Sequence, residues 1–293
     1  AQPRSRGLGD VYKRQMYGNL GKVENKGLDF SIDYVKRFNK DFDMSFKGTF
    51  TYAHNKVLEY DEPDFQKYPN ISRVGHSVDQ QLLYIAERLF IDDSEVQRNP
   101  KQNLGGWVSG GDIKYKNLPD VNGNYDNVID SNDRQYTGMP TTPEIVYGFG
   151  PSLRYKKFDF SFFFQGAARV SIMMNGIHPF GADGTRNVLQ FIADDYWSDT
   201  NQDIYAGYPR LSKRDNENNT KASTYWQRNG AFLKLKNLEV GFNHKFFRVY
   251  LRGSNLLTFS PFKYWDPEMG SGSGLSYPTQ RVFNVGVQFS INK

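Results

Sequence analysis

The side chains best suited to chemistry lie in one loop, residues 120–133, which reads Asp-Val-Asn-Gly-Asn-Tyr-Asp-Asn-Val-Ile-Asp-Ser-Asn-Asp. Oxygen-bearing side chains recur there at alternating positions around a glycine, as they do around the hard cation of a calcium loop. The ligands predicted for such a site are Asp120, Asn122, Asn124, Asp130 and Asp133. The twelfth position holds no glutamate to supply a bidentate ligand. A polar loop ordered by Asx turns is the alternative.

Nothing else in the sequence predicts a metal site or catalysis. The histidines His54, His76, His178 and His244 are dispersed, and the HExxH, GxSxG, P-loop and GxGxxG motifs do not occur. The absence of cysteine excludes disulfides, thiolate metal sites and cysteine nucleophiles. Carboxylates are numerous, but no motif identifies two of them as the catalytic pair of a glycosidase. We therefore expect a protein that is not an enzyme and that has no cofactor unless calcium is bound.

Aromatic side chains could serve as platforms for a sugar. The candidates are Trp107, Trp197, Trp226, Tyr264 and Trp265. Packing within loops or at a membrane interface explains each of them as well. We assign no ligand-binding residue from the sequence.

The net charge of +5 does not indicate a nucleic-acid partner. Residues 1–15 hold four basic residues and one acidic residue, and so supply three of the five charges. Residues 10–15, Asp-Val-Tyr-Lys-Arg-Gln, resemble one reading frame of a transposon end used in sequencing libraries. We therefore interpret residues 1–15 as non-native, with an ordinary basic tail as the alternative, and residues 16–293 as one domain. No signal peptide is visible in the given sequence.

The elements that must position these residues are predicted to be strands. Residues 282–291 alternate apolar and polar side chains strictly, over about the ten residues of a strand that crosses a bilayer in a β-barrel. The same alternation occurs at residues 28–34, 42–52 and 145–155, and it places Phe158, Phe160, Phe162 and Phe164 on one face. A change of register near Asn237 predicts a bulge. No stretch approaches the roughly 18 apolar residues of a membrane helix.

The connections between these strands are sorted by length. Those at 34–43, 154–159 and 243–249 are short, whereas those at 53–80, 166–230 and 257–281 are long and polar. Short turns on one side and long loops on the other are typical of outer-membrane barrels, and a soluble β-sandwich has no reason to show them. Residues 82–91 and 112–118 are less clear strands, and the expected total is about eight.

Eight short stretches resemble, in order, the carboxyl-terminal part of the SusC/RagA family of TonB-linked outer-membrane proteins. They are Asn25-Lys-Gly-Leu-Asp29, Gly111-Asp-Ile-Lys-Tyr-Lys-Asn-Leu118, Phe163-Phe-Gln-Gly166, Tyr208-Pro-Arg-Leu211, Phe232-Leu-Lys-Leu-Lys-Asn-Leu238, Asn255-Leu-Leu-Thr258, Asp266-Pro-Glu268 and Tyr277-Pro-Thr-Gln-Arg281. The family often carries Asp-x-Asn-Gly-Asp-Gly-x-Ile-Asp in the loop at 120–133, from which this chain departs at Tyr125 and by two residues inserted before Ile129.

The resemblance implies an all-β fold, the carboxyl-terminal part of a transmembrane antiparallel barrel with about eight of 22 strands, long extracellular loops and short periplasmic turns. It implies import of oligosaccharides or peptides across the outer membrane together with a SusD-like lipoprotein. The TonB complex would act through a plug and an amino-terminal segment that this chain lacks. The alternatives are a siderophore or cobalamin receptor of the TonB-dependent class and a soluble or surface-anchored, carbohydrate-binding β-sandwich. Because a partial barrel exposes unpaired edges, we expect this polypeptide neither to transport nor to fold stably alone.

Overall fold

The computed structural model describes residues 20–181, 184–213 and 215–289, so residues 1–15 lie outside the described part. The strands are β1 (Lys22–Arg37), β2 (Phe42–Glu59), β3 (Gln81–Tyr84), β4 (Ala86–Leu89), β5 (Lys101–Gln102), β6 (Ile113–Tyr115), β7 (Val128–Ile129), β8 (Arg134–Thr137), β9 (Ile145–Tyr155), β10 (Phe158–Ala168), β11 (Ser171–Met173), β12 (Gln227–Asn229), β13 (Phe232–Asn243), β14 (Phe247–Phe259) and β15 (Val282–Phe289). The helices are α1 (Asp93–Arg98), α2 (Gln190–Asp194) and α3 (Glu217–Thr220), with 3₁₀ turns at Pro69–Ile71, Ser131–Asp133 and Pro267–Met269.

Seven long strands form one antiparallel sheet in the order β1-β2-β9-β10-β13-β14-β15. Each strand pairs with the long strand that precedes it and the one that follows it, so the sheet is a meander. The edge strands β1 and β15 do not pair with each other in the described part of the chain. The sheet is therefore an open segment of an antiparallel barrel, as the alternation of side chains predicted.

One face of the sheet is apolar and uncovered. Phe30 lies opposite Phe50, which in turn lies opposite Tyr147, and the phenylalanines predicted to share a face of β10 contact one another. On the edge strand, Val285 remains 77% exposed. A soluble sandwich would bury such a face against a second sheet, and no second sheet covers it among the described residues. The β-sandwich alternative is therefore wrong.

The predicted sorting of the connections by length is confirmed. Residues 38–41, 156–157 and 244–246 make the short turns, and residues 60–144, 169–231 and 260–281 make the long connections. The first long connection begins later than predicted because β2 continues to Glu59 on β1, its hairpin partner. The register shift expected near Asn237 is present in β13, between Leu235 and Asn237.

The three long connections fold together into what we call the connection layer, residues 60–144, 169–231 and 260–281. Backbone bridges join Tyr84 to Ser223 and Met174 to Gly272, so each connection is held to the next. The main hydrophobic core lies in this layer and includes Leu83, Ile113, Tyr115, Ile172, Trp197 and Trp226. Residues 82–91 and 112–118 supply β3, β4 and β6 of the layer and are not wall strands, which leaves seven wall strands where about eight were expected.

Helices are few and short. Among the described residues, no helix is both long and apolar enough to cross a membrane.

Candidate functional site

The connection layer is the candidate functional site, and pairs of the sequence motifs meet inside it. Asp112 is fully buried, and its carboxylate faces the Arg210 guanidinium, with Nε 2.8 Å from Oδ1 and Nη2 donating to Oδ2 at 3.0 Å. Asn219 Nδ2 and the Ser109 backbone N–H donate to the same carboxylate, each at 2.8 Å. Burial raises the pKa of Asp112, against the opposing effect of Arg210. The first two connections are therefore joined by a buried ion pair between residues 98 positions apart.

The glycine beside this ion pair is required by packing. Gly111 has a φ of +79°, and a Cβ atom built on it would lie 2.2 Å from the Trp197 ring. The indole of Trp197 therefore packs directly on the backbone at Gly111. The Arg210 backbone N–H donates to the Gly111 carbonyl at 2.9 Å, which holds the two motifs in register.

A second pair of motifs meets at what we call the lysine anchor, Lys234, Lys236, Asp266 and Glu268. Lys234 Nζ lies 2.6 Å from Asp266 Oδ2 and 2.5 Å from Glu268 Oε2, and its side chain is 1% exposed. Lys236 Nζ approaches Glu268 Oε1 at 2.9 Å. Burial acts to raise the pKa of both carboxyl groups, but the lysines outweigh it, so both pKa values are lowered. The anchor fixes the third connection to the beginning of β13.

Two further contacts hold the layer to the wall. Asn255, in β14 with a φ of +55°, donates through Nδ2 to the Gln280 carbonyl at 3.0 Å, so a third pair of motifs meets. The buried Glu144, just before β9, contacts His54 Nδ1 at 2.5 Å and Arg169 Nε at 2.6 Å. Sequence reasoning missed the cluster at Glu144, because its members stand 90 and 25 positions apart with no shared motif.

The predicted calcium ligands fall into two separate turns. Asp120 Oδ1 accepts the backbone N–H groups of Asn122 and Asn124 at 2.8 and 2.9 Å, which is an Asx turn, and these bonds hold the pKa of Asp120 below its usual value. Asp130 and Asp133 form a capping box around the 3₁₀ turn between them.

Asp133 is buried, and its carboxylate binds backbone groups of the loop. Its carboxylate accepts the backbone N–H of Leu118 at 2.7 Å and that of Asp130 at 2.8 Å, and burial raises its pKa. The described residues hold no cluster of three or more His, Cys, Asp or Glu side chains arranged for a metal ion. Calcium binding by Asp120, Asn122, Asn124, Asp130 and Asp133 stays a prediction.

The aromatic candidates separate by burial. Trp197 and Trp226 belong to the core of the layer, and Trp265 and Tyr264 pack on Phe262, which is also part of that core. Trp107 alone among the five lies largely in solvent, at 77% exposure, with its indole N–H donating to Ser109 Oγ at 2.9 Å. Packing therefore accounts for four of the five side chains.

Two of the recesses in the layer share Arg210 as a lining residue. The larger, about 600 Å³, is lined by Asp92, Asp93, Ser109, Tyr196, Asp199 and Arg210 among others. The smaller, about 140 Å³, is bordered by His178, whose Nδ1 lies 2.6 Å from Asp215 Oδ1. Arg210 belongs to the lining of both recesses, and its ion-pair partner Asp112 lines neither. Both linings are mixed polar surfaces suited to hydrogen bonding with a polar ligand.

The sequence of the chain is similar to those of TonB-dependent receptors. No protein-family model matches the chain. TonB-dependent receptor P3 of Formosa agariphila is 28% identical over 298 residues, covering 92% of this chain and 29% of that receptor. TonB-dependent receptor SusC of Bacteroides thetaiotaomicron is 24% identical over 299 residues, covering 96% of this chain and 28% of SusC.

Solved structures give the same fold. A chain of the RagAB peptide transporter superposes with a TM-score of 0.66 at 19% identity, covering 93% of this chain and 30% of that chain. The RagAB peptide importer in its "open-open" state gives a TM-score of 0.65 at 19% identity, over 92% of this chain and 29% of that chain. The chain thus spans less than a third of the proteins that it matches. Its sequence is similar to those of SusC and other TonB-dependent receptors, and its fold is that of part of an outer-membrane β-barrel.

Proposed function

We propose that the protein imports nutrients, either oligosaccharides or peptides, across the outer membrane in a TonB-dependent manner. In this proposal the described chain supplies a section of the barrel wall and the connection layer above it. A SusD-like lipoprotein docks over the extracellular side, and the TonB complex acts through a plug in a part of the receptor beyond the given sequence. The function is transport and not catalysis.

The observation that carries the proposal is the division of the chain into an uncovered apolar wall and a buried, ion-paired layer on one side of it. A wall strand with polar side chains on one face and lipid-facing side chains on the other suits a barrel with a wet interior. The ion pair between the buried Asp112 and Arg210 joins the first two connections of the layer. Homology to receptors named SusC and similarity to RagAB support a lipoprotein partner and TonB dependence.

The extent of the chain is part of the proposal. We propose that residues 1–15 are a non-native segment and that residues 16–293 are the carboxyl-terminal portion of the barrel. The chain spans less than a third of the length of these relatives, which supports its being a portion of a larger barrel. The DNA that encodes residues 1–15 tests it, because a codon series unrelated to a transposon end would contradict a sequencing artefact.

Two substrate classes and one rival receptor class have to be separated. A strain expressing the full-length receptor should take up fluorescent maltooligosaccharides or fluorescent peptides, and deletion of tonB should abolish that uptake. Uptake of ferric siderophore or cobalamin instead would favour the rival class. A tagged receptor should also co-purify with a SusD-like lipoprotein encoded beside it. Recovery of the receptor in the soluble fraction would overturn the proposal.

A further inference from the structure

A groove opens in the apolar face of the sheet where β1, β2 and β9 lie side by side. Its floor is Gly48 in β2, which lies opposite Ile32 of β1 on one side and Phe149 of β9 on the other. Phe46 and Phe50, two positions away along β2, close its ends. The groove has a volume of about 480 Å³. It exists because Gly48 has no side chain, whereas Ile32, Phe46 and Phe149 beside it are large.

The groove offers no hydrogen bonds to an occupant. The lining residues with polar side chains are Tyr147, on the apolar face, and Thr49, whose side chain belongs to the opposite face of β2. The Thr49 hydroxyl donates to the Gly148 carbonyl at 3.4 Å, and the Tyr147 hydroxyl donates to the Phe232 carbonyl at 3.3 Å. Since both hydroxyl groups already have partners within the wall, the site favours an occupant that makes only apolar contacts.

The height of the groove in the membrane indicates which apolar molecule can occupy it. Gly48 is six residues from Phe42, where β2 begins at the short turn. At a rise of about 3.3 Å per residue and a tilt of about 40°, this places the groove roughly 15 Å above that end of the barrel. The apolar band of such barrels is about 25 Å tall. The groove therefore lies near mid-height, where a bilayer presents hydrocarbon and not headgroups.

The groove is also continuous with the surface that already faces lipid. Phe30 and Ile32 on one side of it are both more than 40% exposed, and Phe149 on the other side is 37% exposed. The groove spans three strands and about four residues of β2, or roughly 10 by 13 Å. A slender chain that lies along the strands fits this shape, whereas a second barrel would have to present a ridge complementary to it.

We propose that the groove over Gly48 is a discrete binding site for one acyl chain of an outer-membrane lipid. The chain lies against the Gly48 backbone, between Ile32 and Phe149. This inference rests on the membrane location and not on the transported substrate, so transport assays and lipid assays can fail independently.

The test uses photo-crosslinking of the full-length receptor in phosphatidylethanolamine nanodiscs. A fraction of the lipid carries a diazirine near the end of its acyl chain, and adducts are mapped by peptide mass spectrometry. The expected result is a concentration of adducts on peptides from β1, β2 and β9. Gly48→Leu, which fills the groove, should reduce the yield on these peptides at least fivefold. Val240→Leu, on the same face in β13, should leave the yield unchanged.

Graded variants keep the test independent of folding. A Cβ atom at Gly48 would lie 3.2 Å from the edge of the Phe46 ring, which can give way, so Gly48→Ala should fold and reduce the yield partially. Ile32→Phe narrows the groove from its side and should act in the same direction. Each variant is first shown to remain a heat-resistant barrel on a denaturing gel.

Three outcomes would overturn the proposal. Adducts spread evenly over all lipid-facing strands would show only a mobile lipid shell. An unchanged yield in folded Gly48→Leu would show that the groove is not the site. Crosslinks from a photoreactive residue at position 50 to another protein chain, in place of lipid, would show that a protein covers the groove.

Discussion

Replacement of Lys234 by methionine should loosen the third connection without unfolding the barrel. Methionine keeps the unbranched shape of a side chain that is only 1% exposed, but it removes the cation that contacts Asp266 and Glu268. Removing one member of a buried ion pair costs about 3–5 kcal/mol because the partner charge is left behind. The two carboxylates are 19% and 21% exposed, and Glu268 keeps Lys236 at 2.9 Å. We therefore expect the lower end of that range, about 3 kcal/mol.

The assay is hydrogen exchange, followed by mass spectrometry, of the full-length receptor in detergent. The backbone N–H groups of Met269 and Gly270 donate to the carbonyls of Asp266 and Pro267, so these amides report the opening of the 3₁₀ turn. A loss of about 3 kcal/mol corresponds to exchange faster by about two orders of magnitude. The opening should be local, with peptides from the wall strands unchanged.

Lys236→Met is the matched control. Lys236 is 25% exposed, and Glu268 would keep its contact with Lys234, so the expected cost is at most about 1 kcal/mol and the acceleration below about tenfold. Equal acceleration in the two variants would refute the argument from burial. Unchanged exchange in Lys234→Met would refute the anchor itself.

Three further predictions concern the same layer. Gly111→Ala should destabilise the layer by about 2 kcal/mol more than Gly123→Ala, measured by limited proteolysis, because both positions have positive φ but only Gly111 meets a ring within 4 Å; equal rates would contradict this. The lowered pKa values of Asp266 and Glu268 mean that their stabilisation is present above their ordinary values of 3.8 and 4.5 and is lost as the pH falls through the lowered ones. The protection of the Met269 amide against exchange should therefore fall below about pH 4 in the native receptor, but much less in Lys234→Met. Protection that does not change with pH in either protein would contradict the anchor. Millimolar calcium should slow exchange in residues 120–133 if the predicted cation site forms, and no change would leave only the capping role of Asp133.

The wall of the barrel could be predicted from the sequence because its physics is local. Successive side chains of a strand point to opposite faces, so the alternation at Phe158, Phe160, Phe162 and Phe164 indicated a lipid-facing ladder without knowledge of any partner. The break of that period at Asn237 indicated the bulge for the same reason. The alternation did not predict the last seven residues of β2. These residues extend past the end of β9, and their strand partner is β1.

The connection layer could not be predicted in the same way. Its strands are two to four residues long, too short for periodicity to distinguish them from loops. Trp197 and Trp226 were candidate binding platforms until the fold placed them in a core made by three distant connections. The motifs containing Asp112 and Lys234 were visible in the sequence, but nothing in it paired them with Arg210 or Asp266.

The sequence by itself determined the alternating strands, the sorting of turns and loops by length, and hence the class of membrane protein. These features depend on contacts between residue and solvent, or between neighbours on one strand, which a linear pattern records. Only the tertiary structure decided which charges are buried together, which aromatic rings form a core, and that Gly48 opens a groove. Those properties depend on the residues opposite, which the chain brings together from positions a hundred or more residues apart.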